Sequence, residues 1–387
     1  MDDFTFAMPA RIRYGIGIHH QIGRILKEEM KYRKSFILTG RHVAKSGIID
    51  KIAASCEDAG MEFQIFAEAM PEPAVEDIDR IVEILQKSRA DVVVAVGGGS
   101  PIDTAKTVCM LMTNGGSCRE YLFGGSKTVT KPGMPMIAIP TTAGSGSEMT
   151  AAAVIVNKQK NAKLSITSEH LVPKAAFLDP ELQIGMPPFI TATTGMDALT
   201  HAIESYVSKR ENPVADIFAL KAIELISRSL RKAAIDGTDL AARADMALAS
   251  TLAGVAFMNG GLGIVHGISQ TLGAVAHVAH GAANALLLPY CMQKNAPACP
   301  EKFKVIAQAL GENVSGISAP KAAEMAADAV FRLAKDLQIP VKLQEVGVER
   351  DMFDEIIKGT MEYRMLAINP KQITEQDVLD ILEAAYA

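Results

Sequence analysis

The sequence predicts a two-part protein, with an α/β half built on a parallel sheet over residues 1–182 and an all-helical half over 183–387. Three observations carry this. Between residues 35 and 180, short runs rich in β-branched residues recur: "SFILT", "FQIFA", "DVVVAVGGGS", "PMIAIPTT", "AAVIV" and "AAFLD". None alternates with polar residues, so each reads as a strand buried on both faces, as a parallel sheet covered by helices requires. Two of the runs end in glycine-rich turns, the usual exit from such a strand into a crossover helix. After Pro187 and Pro188 the texture changes to long helical pattern broken by Gly, Pro and Asn, with almost no strand-like run.

Between the strands, "PAVEDIDRIVEILQKSR" sets Val75, Ile78, Ile81, Val82 and Leu85 at spacings of three and four. Its acids come early and Lys87 and Arg89 late, as an amphipathic crossover helix requires. The stretch "TNGGSCREYLFGGSKTVTKPG" reads as plain connection. Beyond residue 188, "DIFALKAIELISRSLRKAA", "KAAEMAADAVFRLAKDL" and "TEQDVLDILEAAYA" are the clearest helices. The segment 246–290 is apolar enough to suggest a membrane, but Asn259, Gln270, three histidines and repeated glycines argue for core helices instead.

A chain of 387 residues is too long for one ordinary domain. Apolar residues make up 49% and charged residues 21%, with a net charge of −5, so no basic excess points to nucleic acid or an anionic membrane. The start, "MDDFTFAMPARIRYG", lacks an apolar signal core, and Cys56, Cys109, Cys118, Cys291 and Cys299 are scattered without a C-x-x-C pair. Both features fit a cytoplasmic protein with free thiols.

The chemistry gathers at three places. "DVVVAVGGGSPIDTAK" is a strand ending in glycines, then a helix whose N-terminus offers backbone N–H groups and the positive end of its dipole, which is a cradle for phosphate. "IPTTAGSGSE" is a second strand-end turn, carrying hydroxyls at Thr141, Thr142, Ser145 and Ser147. Two such turns in one sheet suit a dinucleotide lying across their crevice. In the helical half, "TTGMDALTHAIESYV" puts Asp197 and His201 four apart on one helix face. Alone they make a surface ion pair. With two of His266, His277 and His280 they make an N3O donor set for iron(II), zinc or another first-row divalent ion, and spacing does not say which two.

The motifs "GGGSPIDTAK", "PTTAGSGSE", "GMDALTHAIE" and "GIVHGISQTLGAVAHVAHGAANALLLPY" resemble, in order and spacing, those of the iron-containing (group III) alcohol dehydrogenases. The likeness runs from about residue 5 to Asn369 and Pro370. It implies the dehydroquinate synthase-like superfold, with catalysis in the cleft between a dinucleotide-binding domain and a helical metal domain. It implies metal ligands at Asp197, His201, His266 and His280, leaving His277 a pocket or structural histidine. The cofactor positions it implies are Gly98, Gly99, Ser100 and Asp103 in the first turn, Thr141, Thr142 and Ser145 in the second, and Lys163 on the strand beyond. The activity implied is reversible, NAD(P)-linked oxidation of a small primary alcohol or diol, Fe2+ or Zn2+ acting as Lewis acid, in a homo-oligomer of two or more chains. Phe257, Met258, Leu262 and Met365 supply a mostly apolar substrate pocket.

Two departures stand out. Where many relatives hold an Asp that selects NAD, this chain has Gly40 and Arg41; the carboxylate's repulsion of a 2′-phosphate is gone and Arg41 offers it a partner, which favours NADP(H). Where many relatives hold a His four residues after the third ligand, this chain has Gln270, which shuttles no proton at neutral pH. Solvent or His277 then takes the relay. That change keeps a glycerol-dehydrogenase-like or maleylacetate-reductase-like enzyme as the nearest alternative. A dehydroquinate synthase-like lyase fits less well, since 252–290 carries no Lys or Arg for an anionic substrate, and intact ligand and glycine motifs argue against a non-catalytic nucleotide binder.

Overall fold

The computed structural model describes residues 3–159 and 162–386. Its contacts divide the chain into two compact units, one of residues Met8–Thr142 and Gly146–Ile184, the other the rest. The expected boundary at 182/183 therefore lies two residues early, and two short segments regroup with the helical unit. Physical ties explain them: Ala7 exchanges backbone hydrogen bonds with the Asn259 amide, and Gly144 packs so closely on Thr194 that an added Cβ would lie 2.7 Å away.

The α/β unit holds a six-stranded parallel sheet in the order β1-β8-β5-β4-β2-β3, made of β1 (Arg11–Tyr14), β2 (Lys34–Gly40), β3 (Glu62–Ala69), β4 (Val92–Gly97), β5 (Met136–Pro140) and β8 (Ala175–Leu178). Its central strands are buried on both faces because their β-branched residues feed two cores at once. Val93, Ala95, Met136 and Ala138 pack on one side with Ile78, Ile81 and Leu85 of helix Val75–Ser88; Val92, Val94, Val96, Ile137 and Ile139 pack on the other with Ile22, Ile49 and Ile52.

One expected strand is placed differently. The run "AAVIV" belongs to β6 (Ala152–Asn157), which pairs antiparallel with β7 (Ala162–Thr167) in a separate two-stranded sheet. Ala153 and Ile155 are buried while Val154 is 44% exposed, so one face of this hairpin meets the core. The connection after residue 112 is also more than a linker, since Cys118, Tyr121 and Leu122 are buried in the same core.

From Gly185 onward the described residues are helical, with no strand among them. The long helices Pro188–Val207, Pro213–Ile235 and Leu240–Gly260 share one core with Ile264–Val275 and His280–Asn295. Leu240–Gly260 is long and apolar enough to cross a membrane by length and composition, yet 67% of its apolar window is buried inside the unit, as a core helix is.

Candidate metal centre and cofactor turns

The helix Pro188–Val207 opens on Pro188, whose fixed φ suits a first helical turn, and then buries nearly every residue from Thr191 on. Polar groups on so buried a helix need partners from neighbouring elements. Asp197 and His201 find them on two further helices. His266 sits in the first turn of Ile264–Val275 and His280 is the first residue of His280–Asn295, so two helix starts deliver imidazoles to the carboxylate. The Nε2 atoms of His201, His266 and His280 lie 3.7, 3.9 and 3.6 Å from one oxygen, Asp197 Oδ1. Asp197, His201 and His266 are buried and form the tightest set; the His280 side chain is 44% exposed and reaches the same oxygen from the open side. The His201 ring stacks on Phe257 at 4.4 Å and on His266 at 4.8 Å.

Burial and hydrogen bonding set the state of two of these groups and the aim of a third. Burial lowers the His201 imidazole to about 4, against the pull of Asp197, so it is neutral at pH 7. Burial alone would raise the Asp197 carboxyl, but the three histidines and the Asn284 amide outweigh it and hold the group below its ordinary value. Glu204 Oε2 lies 2.6 Å from His266 Nδ1 and its Oε1 accepts from the Val265 N–H, which puts the ring proton on Nδ1 and turns the Nε2 lone pair inward. Into this ring of acceptors projects one donor: the Asn284 amide nitrogen, 2.7 Å from Asp197 Oδ1, 3.1 Å from His280 Nε2 and 3.3 Å from His266 Nε2. The three nitrogens stand 3.6–3.9 Å from the carboxylate oxygen, too far to bond it and close to the roughly 3.4 Å edge of a tetrahedral site with 2.0–2.1 Å bonds. The arrangement fits a divalent cation.

In the α/β unit the two glycine-rich turns start side by side, because Gly97 at the end of β4 is in register with Pro140 at the end of β5. The helix Gly99–Asn114 has Gly98 at its N-cap and no side chain capping it, which leaves its first N–H groups to a ligand. A Cβ at Gly98 would lie 3.1 Å from Thr142 Oγ1, so glycine is what lets the second turn close on the first. Thr141 is buried, its N–H donating to the Gly97 carbonyl at 3.0 Å. Other expected cofactor residues already have protein partners. Ser100 donates to the Pro71 carbonyl, Lys163 pairs with Glu72 at 2.6 Å, and Asp103 accepts from Ser147 Oγ at 2.5 Å and the Val154 N–H at 2.9 Å, bracing one turn against the other. Ser145 falls in the three-residue segment that groups with the helical unit. Gly40 caps the short helix Arg41–Lys45, on which Arg41 is exposed. His277 is exposed in the turn between two helices at φ 55°, and Gln270 is exposed on Ile264–Val275; neither is in the close-set donor group.

One turn of helix behind the cradle, Lys106 is buried and donates to Thr150 Oγ1 and the Ala152 carbonyl. Burial pushes its ammonium down to about 8, against the pull of Asp103 and Glu148. Between that value and the ordinary 10.4 of an unfolded lysine, the unfolded chain holds a proton the folded one has released, so stability should rise with pH by up to about 1.4 kcal/mol per unit. Urea unfolding of the wild type and Lys106→Met across pH 8 to 10.5 checks this, and parallel stability curves would contradict it.

Comparison with known proteins decides the family. Residues 9–180 match the family described as iron-containing alcohol dehydrogenase, and residues 191–386 match its C-terminal domain. The chain belongs to the iron-containing alcohol dehydrogenase family. This dehydrogenase is 39% identical to the NAD-dependent methanol dehydrogenase of Bacillus methanolicus over 98% of its own length and 99% of the relative's. It is 40% identical to the 1,3-propanediol dehydrogenase of Klebsiella pneumoniae over 92% of both chains. A solved 1,3-propanediol oxidoreductase superposes with a TM-score of 0.95 at 37% identity, covering all of both chains. The dehydrogenase is therefore an oxidoreductase with the α/β and all-helical fold of its relatives.

Two residues of the centre escape the sequence reading. Glu204 follows His201 by three in the dehydrogenase and Asn284 follows His280 by four, so both lie on the ligand faces of their helices, and that spacing is the signal that could have found them.

Proposed function

We propose that this dehydrogenase catalyses reversible hydride transfer between a small primary alcohol or diol and a nicotinamide dinucleotide, as a cytoplasmic homo-oligomer. The observation that carries this reading is the convergence of three imidazole nitrogens on one buried carboxylate oxygen, with Glu204 behind His266 to aim it. When bound, iron(II) or zinc supplies Lewis acidity toward the substrate oxygen, and the nicotinamide supplies or accepts the hydride. Asp197, His201, His266 and His280 hold the ion, Asp197 contributing the negative charge. Phe257, stacked on His201, sets an apolar ring against the donor group, and with Met258 and Leu262 supplies apolar surface that suits short alkyl chains.

The first N–H groups of Gly99–Asn114 receive the dinucleotide's phosphates, with Gly98, Thr141 and Thr142 keeping the backbone close enough. Ser100, Asp103, Ser145 and Lys163 complete the cradle, Asp103 by bracing it. Gln270 hydrogen-bonds a substrate hydroxyl without taking its proton, and His277 Nε2 or Nδ1, exposed to solvent, exchanges that proton with water. The five free cysteines suit a reducing compartment, and β1 at the sheet edge, with Tyr14 and Ile16 exposed, suits a second copy.

Exposed Arg41 beside Gly40 suits a 2′-phosphate. Arg41→Ala should raise the KM for NADPH about tenfold or more, the worth of one charge-assisted hydrogen bond, and spare NADH. Initial rates with both cofactors and a panel of short aldehydes and hydroxyaldehydes test the whole reading. Aldehyde reduction with a stronger Arg41 effect on NADPH supports it; oxidation of neither cofactor by any aldehyde or ketone overturns it.

A further inference from the structure

A second cluster of ligating side chains stands in the α/β unit, where the turn Ile18–Gln21 meets the turn after β8. His19 is fully buried there, and its Nδ1 lies 2.5 Å from Oδ2 of the equally buried Asp179. Asp179 also accepts the backbone N–H groups of Gly17, His19 and Glu181, at 3.0, 3.0 and 3.1 Å. So many donors hold the ring rigidly and assign its proton to Nδ1. The other nitrogen, His19 Nε2, is then a bare acceptor, and it is buried with no protein group to hydrogen-bond it. A buried acceptor left this way is costly, and native structures seldom keep one without a water or an ion to satisfy it.

The surroundings of that nitrogen favour an ion. The His20 ring lies 3.9 Å from the His19 ring, and one ligating atom each from His19, His20 and Glu181 falls within 4.8 Å of the others. Gly17, left-handed at φ 73°, faces the same spot: a Cβ there would lie 3.7 Å from Glu181 Oε2 and 3.8 Å from His20 Cδ2. His20 is exposed and Glu181 half-buried, so both can swing toward the fixed His19 nitrogen and close the spacing to the roughly 3.4 Å that tetrahedral zinc requires.

We propose that His19, His20 and Glu181 form a second metal site, distinct from the one at Asp197, that takes zinc or a similar borderline divalent ion with water completing the shell. Two imidazoles and a carboxylate are an established zinc donor set, and Asp179 behind His19 is the carboxylate that such ligating histidines recruit. The ion straps the N-terminal turn to the end of β8 and takes no part in hydride transfer.

The test is zinc titration of the full-length protein, stripped by chelator, with metal counted after equilibrium dialysis. Wild type should bind two zinc ions per chain, and Asp197→Ala one. His20→Ala/Glu181→Gln, altered at solvent-accessible side chains, should retain one, its second ion weakened about 100-fold or more. Cobalt(II) added to Asp197→Ala should give a visible absorption band that is lost when His20→Ala/Glu181→Gln is added to that chain. Saturation of wild type at one zinc, or equal uptake by wild type and His20→Ala/Glu181→Gln, overturns the proposal and leaves His19 Nε2 to a water molecule. Neither result bears on the centre at Asp197, which the Asp197→Ala chain reports separately.

Discussion

Asp197→Ala is expected to lose the ion of its centre and turnover together. Asp197 is the one anion in the donor set, and every imidazole of the set is within 3.9 Å of its Oδ1. Without it only three imidazole nitrogens remain, and the Asn284 amide loses its 2.7 Å acceptor. Lewis-acid stabilisation is worth several kcal/mol, so turnover should fall by about a thousandfold or more even in protein that folds normally. Elemental analysis alongside kcat checks the coupling. A chain that has lost the ion and still turns over at the wild-type rate would remove the metal from the mechanism.

The second large effect is expected at a residue that touches no cation. Glu204→Gln keeps one acceptor oxygen but sets an NH2 against either the Val265 N–H or His266 Nδ1, both of which Glu204 now accepts from. His266 then loses its fixed tautomer and aim, and affinity for the ion should drop about 10- to 100-fold, as for other residues that orient a metal ligand. Because Glu204 acts through His266, kcat should return toward wild type at saturating metal. Glu204→Ala additionally strands two buried donors, at about 1–3 kcal/mol each, and should lower Tm. A chelator challenge read by residual activity separates the cases; unchanged metal retention in Glu204→Gln would show that His266 needs no such support.

The sequence makes the ligand face of Pro188–Val207 legible because Asp197 and His201 are one turn apart, and period 3.6 survives burial. Spacing alone does not say which histidines join them, since His266 and His280 arrive at the starts of two other helices; the family resemblance, not periodicity, points to that pair. Glu204 is hidden for a related reason. A lone acid late in an apolar helix reads as a surface group until His266 is seen against it. The sheet is legible where strands are doubly buried, as in β4 and β5. It is not legible at β1, where "RIRY" carries two arginines that an edge strand tolerates, nor at β6, where an apolar run serves a hairpin with one buried face. The glycine turns announce a phosphate cradle, but that Asp103 is spent on Ser147 and Val154 depends on β6 folding back beside it.

The most direct test of a metal-dependent dehydrogenase is the rate of NADH and NADPH oxidation by a short aldehyde, measured anaerobically on chelator-stripped protein and again after iron(II) or zinc is restored. The rate should be near zero in stripped protein, return with the ion, and fail to return in Asp197→Ala. Equal rates with and without the ion, or full recovery in Asp197→Ala, would contradict the assignment of catalysis to the centre formed by Asp197, His201, His266 and His280.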